Sequence, residues 1–139
     1  EHLNSYGNYY LPAVERALIR ATELQPKTNH VYRSGWLGSY FIRMMKPGNK
    51  KKYKAFRGHF PAPGLNGPAV VAEFIRQQEE WLRLMDQIDQ VGLLNARVPI
   101  SISPYIRLKL GDVLGFVKAH DDRHIAQANR VLARLREAV

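Results

Sequence analysis

The chain has 139 residues, which suits one domain, and its 45% hydrophobic content excludes an intrinsically disordered protein. It contains no cysteine, which excludes disulfides, thiolate metal ligands and cysteine nucleophiles together. The formal net charge of +9 suits an anionic substrate or nucleic acid. Basic residues cluster only at Lys50, Lys51, Lys52 and Lys54, and no nucleic-acid motif is present, so nucleic-acid binding is disfavoured.

No apolar run approaches the roughly 18 residues of a membrane span. The sequence does not show the charged start and following apolar stretch that are typical of a signal peptide. We therefore predict one cytoplasmic domain over residues 1–139 that does not enter a membrane and that acts on a small-molecule substrate.

Apolar residues at three- and four-residue steps predict a first helix from about Leu3 to Glu23. Pro12 inside it predicts a kink, and Gln25-Pro26 ends it. Its predicted buried face carries Leu3, Tyr6, Tyr10, Val14, Ala17, Leu18 and Ala21. A shorter, aromatic-rich second helix is predicted from about Gly35 to Met45, stopped by Pro47-Gly48.

After a long connection from Asn49 to Gly67, a third helix is predicted from about Pro68 to Val91, capped by Asn66. Its predicted buried stripe is Val71, Phe74, Gln78, Trp81, Leu82, Met85 and Ile88. A fourth helix is predicted from Tyr105 or Leu110 to Glu137. Its predicted stripe is Leu110, Val113, Leu114, Val117, Ala128, Val131 and Leu135.

Three long helices and one short one predict an all-α helix bundle, and a missing leading helix would bring the long helices to the usual four. The stretch from Pro99 to Ile102 has the composition of a strand, but the sequence offers no evident partner for it.

His120 and His124 lie one turn apart on the predicted fourth helix, about 40° apart around its axis. They share a face with Val113 and Val117 and therefore point inward. Two such imidazoles can bind one metal ion. The alternative is a pair of core histidines hydrogen-bonded to backbone or carboxylate groups.

Three further histidines are candidates for a third ligand. His30 and His59 lie among Pro, Lys and Gly residues, and we interpret both as surface histidines. His2 opens the first helix one turn before Tyr6, on the apolar stripe, and is the favoured candidate.

A zinc protease is the main rival, because His120-Asp121-x-x-His124 resembles the H-E-x-x-H motif. The aspartate is one methylene shorter than the glutamate that must reach a metal-bound water. A downstream third ligand is also missing, so a protease is disfavoured.

The segment from Leu108 to Ala128 resembles the last helix of the DinB/YfiT superfamily, in which an H-x-x-x-H pair is followed by a glutamine like Gln127. His2-Leu3-Asn4 with Tyr9–Pro12 resembles the family's second helix, and Phe74–Leu82 resembles its third. The resemblance implies a DinB-like four-helix bundle that lacks, or does not show, the family's first helix. It also implies His2, His120 and His124 as metal ligands.

Three neutral histidines leave a metal position open for water or a thiolate. The resemblance implies a thiolate for some members, which are transferases or isomerases using bacillithiol or mycothiol, and hydrolysis for others. We expect a metal-dependent enzyme, a small-thiol-dependent S-transferase before a hydrolase. A non-catalytic metal-binding stress-response protein is the third alternative. Imidazole ligands suit zinc, nickel or iron.

Other roles follow from position. Tyr6 is a candidate to donate a proton or orient a ligand, against simple core packing, and Gln127 is a candidate to line the site or bond a ligating histidine. Asp121 is interpreted as a surface acid rather than a partner of an imidazole. Lys118 and Arg123 are interpreted as exposed charges rather than attractors of an anionic thiol. A bundle face left uncovered by a missing helix would favour a homodimer.

Overall fold

A computed structural model describes residues 1–24 and 31–138, and this part of the chain is mainly helical, which confirms the predicted fold class. Its longer elements are α1 (His2–Leu24), α2 (Trp36–Met45), α3 (Gly67–Val91), β1 (Arg97–Ile100), β2 (Ser103–Lys109) and α4 (Leu110–Glu137). Short 3₁₀ turns lie at Arg57–His59 and Leu93–Asn95. The predicted helix stop at Gln25-Pro26 and the histidine at His30 lie outside the described residues.

Helix α1 forms one wall of the core along the face that its periodicity predicts. Tyr6, Tyr10, Val14, Leu18 and Ala21 are buried, while Leu3 and Ala17 are half-buried. On a second side of α1, Gly7 lets α3 approach closely, because a Cβ atom at Gly7 would lie 1.9 Å from Oε1 of Gln77. Helix α1 therefore has a packing partner on each of two sides, the apolar core and α3.

Helix α3 begins as predicted, with the Asn66 side chain accepting a hydrogen bond from the backbone N–H of Ala69 at 3.1 Å. It ends at Gly92, whose φ of 65° is a conformation that glycine adopts without strain. The predicted buried stripe is partly wrong. The buried residues are Gln77, Trp81, Leu84 and Ile88, whereas Val71, Leu82 and Met85 are exposed. Because α3 packs mainly on α1, it buries a narrow seam instead of a broad face.

The segment from Arg97 to Lys109 forms an antiparallel hairpin, which corrects two predictions. Val98 pairs with Leu108, and Val98, Ile100 and Leu108 all point into the core. The strand predicted from Pro99 therefore does have a partner. That partner includes residues 105–109, which would belong to the last helix if the helix began at Tyr105. The hydroxyl of Tyr9 donates to the carbonyl of Ile100 at 3.1 Å, which fastens the hairpin to α1.

Helix α4 starts at Leu110, the later of the two predicted positions. Its first half is buried through Leu110, Val113 and Val117, but Val131 and Leu135 are 57% and 61% exposed, so the predicted stripe is wrong there. Its neighbour α2 has 10 residues and spans about 15 Å, against about 42 Å for the 28 residues of α4. Helix α2 is therefore too short to cover the second half of α4.

A buried carboxylate ties α4 to the segment before α2. Asp112, 1% exposed, accepts hydrogen bonds from the hydroxyl of Tyr32 at 2.7 Å, the hydroxyl of Ser34, and the backbone N–H of Gly35 at 3.1 Å. These bonds hold α2 against the first half of α4, and so close one side of the space around His120. None of the described helices combines the length and apolarity needed to cross a bilayer.

Candidate metal centre

The three histidines singled out from the sequence lie together at one end of the core. His2 opens α1, and His120 and His124 lie one turn apart on α4; one ligating nitrogen from each lies within 4.8 Å of the other two. The Nε2 atoms of His120 and His124 are 3.2 Å apart. Tetrahedral bonds of about 2.0–2.1 Å would separate two nitrogen ligands by about 3.3–3.4 Å. The spacing of this pair therefore suits a first-row divalent ion.

The orientation of His2 is set by the loop before α3. Its Nδ1 atom lies 2.7 Å from the backbone carbonyl oxygen of His59. Because a carbonyl only accepts, Nδ1 must carry the proton, which leaves the lone pair of Nε2 free for a metal. Metal-bound histidines typically donate their other ring N–H in this way.

His59 is a supporting residue that sequence reasoning missed, since it was predicted to be on the surface and is 6% exposed. The hydroxyl of Ser5 donates to the carbonyl of His2 at 2.7 Å, so it must accept from Nδ1 of His59 at 2.8 Å. The His59 ring also stacks on Tyr6, with 3.9 Å between centroids. The apolar residues Phe56 and Phe60 beside it are themselves exposed, so apolar residues in the local sequence do not indicate which side chain is buried.

Burial favours the neutral form of His120, His124 and His59, and metal ligation requires neutral imidazoles. Burial, followed by His124 and His2, lowers the pKa of His120 to about 3. Burial also lowers the pKa of His124 and of His59, with His2 the next cause in both. The Nδ1 atom of His120 is buried without a hydrogen-bond partner in the described part of the chain. Among the described residues, no carboxylate accepts a hydrogen bond from this nitrogen atom, as it would if His120 had a purely structural role.

Both residues predicted to assist the chemistry lie beside the three histidines. The Tyr6 ring is 4.4 Å from that of His120 between centroids, and burial, followed by the nearby Tyr10, raises the pKa of Tyr6 to about 12. Its hydroxyl therefore stays protonated at neutral pH. Gln127 lines the same cavity as His124, and its side chain opposes the lowering of the His124 pKa.

A cavity of about 500 Å³ opens over the histidines, which we call the metal cavity. Its basic lining residues are Lys52, Lys54 and Arg123, and no acidic side chain lines it among the residues described. Asp121 is half-buried outside this lining, and burial, followed by Asp122, raises its pKa to about 6. The space is thus suited to an anionic ligand.

Arg123 is more than the exposed charge that we expected. Its guanidinium donates to the backbone carbonyls of Asn49 at 2.9 Å and Lys51 at 2.6 Å. It also lies 5.8 Å from the centroid of the Tyr53 ring. Arg123 thereby holds the segment that carries Lys52 and Lys54 over the metal cavity. Lys118, in contrast, is the surface charge that we expected, since it pairs with Asp122 at 2.7 Å and is largely exposed.

Comparison with known families gives one match. A profile of the DinB superfamily matches residues 1–128, a range that includes all three histidines and Gln127. Comparisons with curated proteins and with solved structures found no significant match. The family match covers most of the chain and contains the segments in which the sequence resembles that family. This chain belongs to the DinB superfamily.

Proposed function

We propose that this chain is a metal-dependent enzyme in which His2, His120 and His124 hold zinc, nickel or iron, and that it is a small-thiol-dependent S-transferase. The observation that carries the proposal is the convergence of three ligating nitrogens within 4.8 Å at the floor of a basic cavity. A divalent metal held there would supply an open position that lowers the pKa of a bound thiol or water.

The cavity favours a thiol over hydrolysis for two reasons. Lys52, Lys54 and Arg123 provide positive charge without a lining acid among the described residues, which suits a carboxylate-bearing thiol such as bacillithiol. Hydrolysis generally uses a positioned base to activate water. No described carboxylate lines this space, and Tyr6, with a pKa of about 12, is protonated. Hydrolysis remains the alternative.

The chain's own residues take three roles in this proposal. His59 and Ser5 orient His2, as their hydrogen bonds indicate. The protonated hydroxyl of Tyr6 donates a hydrogen bond to a group on the substrate that gains negative charge. Gln127 orients His124, beside which it lines the cavity.

Metal content tests the first half of the proposal. Elemental analysis of the purified chain should find close to one divalent ion per molecule, and His120→Ala or His124→Ala should remove most of it. Lys118→Ala changes an exposed residue on the same helix and serves as the control. Wild-type protein that stays metal-free after incubation with zinc, nickel and iron would overturn the proposal.

A thiol titration tests the second half. Cobalt-substituted protein should change its visible and near-ultraviolet spectrum on addition of bacillithiol, at lower concentration than with uncharged 2-mercaptoethanol. The double variant Lys52→Ala, Lys54→Ala should reduce the difference between the two thiols. A spectrum that ignores both thiols, together with ester turnover in their absence, would identify the hydrolase instead.

A further inference from the structure

A second cavity of about 300 Å³ adjoins the metal cavity, and we call it the aromatic cavity. Its walls come from α1, α2, the segment 53–56, the hairpin and α4, with α2 contributing Tyr40, Phe41 and Met44. Ile102 lines it from the hairpin and Phe116 from α4. A ring contact between Phe41 and Phe116 links the α2 wall to the α4 wall, with 6.4 Å between the ring centroids.

The two cavities are neighbours that share part of their lining. Tyr6, Met45, Tyr53 and Lys54 line both of them. Tyr6 also contacts His2 and His120 through its ring. A molecule in the aromatic cavity would therefore end beside the three histidines.

The aromatic cavity leaves large apolar side chains in water. Tyr40 is 51% exposed, Phe56 53% and Tyr53 42%, and all three line it. Removing such side chains from water is favourable, so a concave group of them provides binding energy for an apolar ligand. A volume of about 300 Å³ lies at the low end of small-molecule sites, which suits a compound of one or two rings.

Charge divides the combined space into two parts. Lys54, at the shared border, is the one charged residue in the lining of the aromatic cavity among the residues described. The metal cavity adds Lys52 and Arg123. An anionic group is thus favoured over the histidines, whereas burying a charge deep in the aromatic cavity would be costly.

We propose that the aromatic cavity binds an uncharged apolar compound of one or two rings, the co-substrate that meets the thiol at the histidines. Its role as co-substrate rests on the proposed function, whereas its binding rests on the cavity alone. Binding in the aromatic cavity and a role as co-substrate can therefore be disproved independently of each other.

The test is isothermal titration calorimetry of the metal-loaded chain with 1-naphthalenemethanol. One molecule should bind per chain, and Phe41→Ala should weaken binding by about tenfold or more. Leu37→Ala is the matched control, because Leu37 lies one turn earlier on α2 and is also half-buried against the core, but does not line the cavity. Tyr40→Ala, at a half-exposed position, should weaken binding without a risk to folding.

A metal-free variant separates the two proposals. His124→Ala should lose metal yet keep its affinity for 1-naphthalenemethanol within about threefold, because that residue does not line the aromatic cavity. If the wild-type protein holds no metal but Tyr40→Ala binds the probe more weakly than wild type, the proposed function is wrong and the aromatic binding site is supported. The site is overturned if the probe does not bind up to the limit of its solubility, or if Phe41→Ala and the control Leu37→Ala bind it equally well. If anionic 1-naphthaleneacetate binds tenfold or more tightly than 1-naphthalenemethanol, the proposal that the ligand is uncharged is wrong.

Discussion

The Nδ1 atom of His2 donates a hydrogen bond to the backbone carbonyl oxygen of His59, 57 residues away in sequence and 2.7 Å away in space. This bond places the orientation of one proposed metal ligand under the control of a loop. The loop residue is held in turn by Ser5, three positions after His2 on α1.

Ser5→Ala should weaken metal binding without removing it. Without the Ser5 hydroxyl, His59 loses the acceptor for its Nδ1 proton, and the carbonyl that orients His2 is less firmly placed. Loss of such a supporting partner typically costs about 10- to 100-fold in metal affinity. Competition titration with a chelator measures this, with Ser39→Ala on α2 as the control; equal affinities for Ser5→Ala and wild type would contradict the prediction.

Arg123→Ala should loosen the lysine-rich segment over the metal cavity. The variant removes the bonds to the carbonyls of Asn49 and Lys51, and hydrogen bonds to a charged group contribute about 1.5–3 kcal/mol each. Tryptic cleavage after Lys50, Lys51, Lys52 and Lys54 should therefore become at least several-fold faster. Arg130→Ala, which removes an exposed arginine of the same helix, is the control. Unchanged cleavage in Arg123→Ala would show that other contacts hold the segment.

Gly7→Ala should destabilise the protein although alanine favours helices. The change gains about 0.5–1 kcal/mol in helix propensity. It also places a Cβ atom against Gln77, which is 1% exposed and donates to the carbonyl of Asn4 and to Oδ1 of Asn8. Overpacking of this kind costs about 1–3 kcal/mol and should outweigh the gain.

Urea unfolding of Gly7→Ala, of Gln77→Ala and of the double variant that carries both changes tests whether contact with Gln77 causes the loss of stability. The double variant should be more stable than the sum of the single effects implies, because removing Gln77 removes the clash. Additive effects within about 0.5 kcal/mol would show that the two positions do not interact.

Glu73→Gln should remove part of the dependence of stability on acid pH. Hydrogen bonds from Arg76, then Gln77, lower the pKa of Glu73 to about 2 from its usual 4.5. A lowered folded-state pKa contributes stability above pH 4.5, and that contribution is lost as the pH falls from 4.5 toward 2. The variant should therefore be less stable than wild type at pH 7 and equally stable near pH 2. The effect should be small, because the pair is exposed.

Urea midpoints at several pH values measure this difference. Glu79→Gln, which removes an exposed glutamate of the same helix, is the control. A difference between Glu73→Gln and wild type that stays constant from pH 7 to pH 2 would contradict the assignment.

The helices were predictable because their signals are local. Apolar spacing located the described part of α1 and the whole of α3 to within a residue or two, and Asn66 marked the start of α3. Which residues of α3 and α4 are buried was less predictable, because it depends on the length and position of neighbouring helices. Val131 and Leu135 have the spacing of core residues, yet α2 does not reach them.

The hairpin was missed because strand pairing is not local. The segment Pro99–Ile102 lies close to its partner in sequence, but nothing in its composition identifies Ser103–Lys109 as a strand rather than a helix start. The structure resolves this by burying alternate residues, Val98 and Ile100, beneath α1. The supporting roles of His59 and Arg123 were not predicted for a related reason. Both roles depend on backbone carbonyls, which every residue type carries.

The sequence by itself determined the helical class and, through a four-residue spacing on one helix, the pairing of His120 with His124. The apolar stripe of the first helix favoured His2 as the third ligand, and the family resemblance implied the same residue. Only the tertiary structure decided that His59 supports His2, that Arg123 holds a basic segment over the site, and that an aromatic cavity opens beside it. Periodicity records how one element faces its surroundings, whereas a cavity and its supports are made by elements distant in the chain, whose meeting leaves no regular spacing to detect.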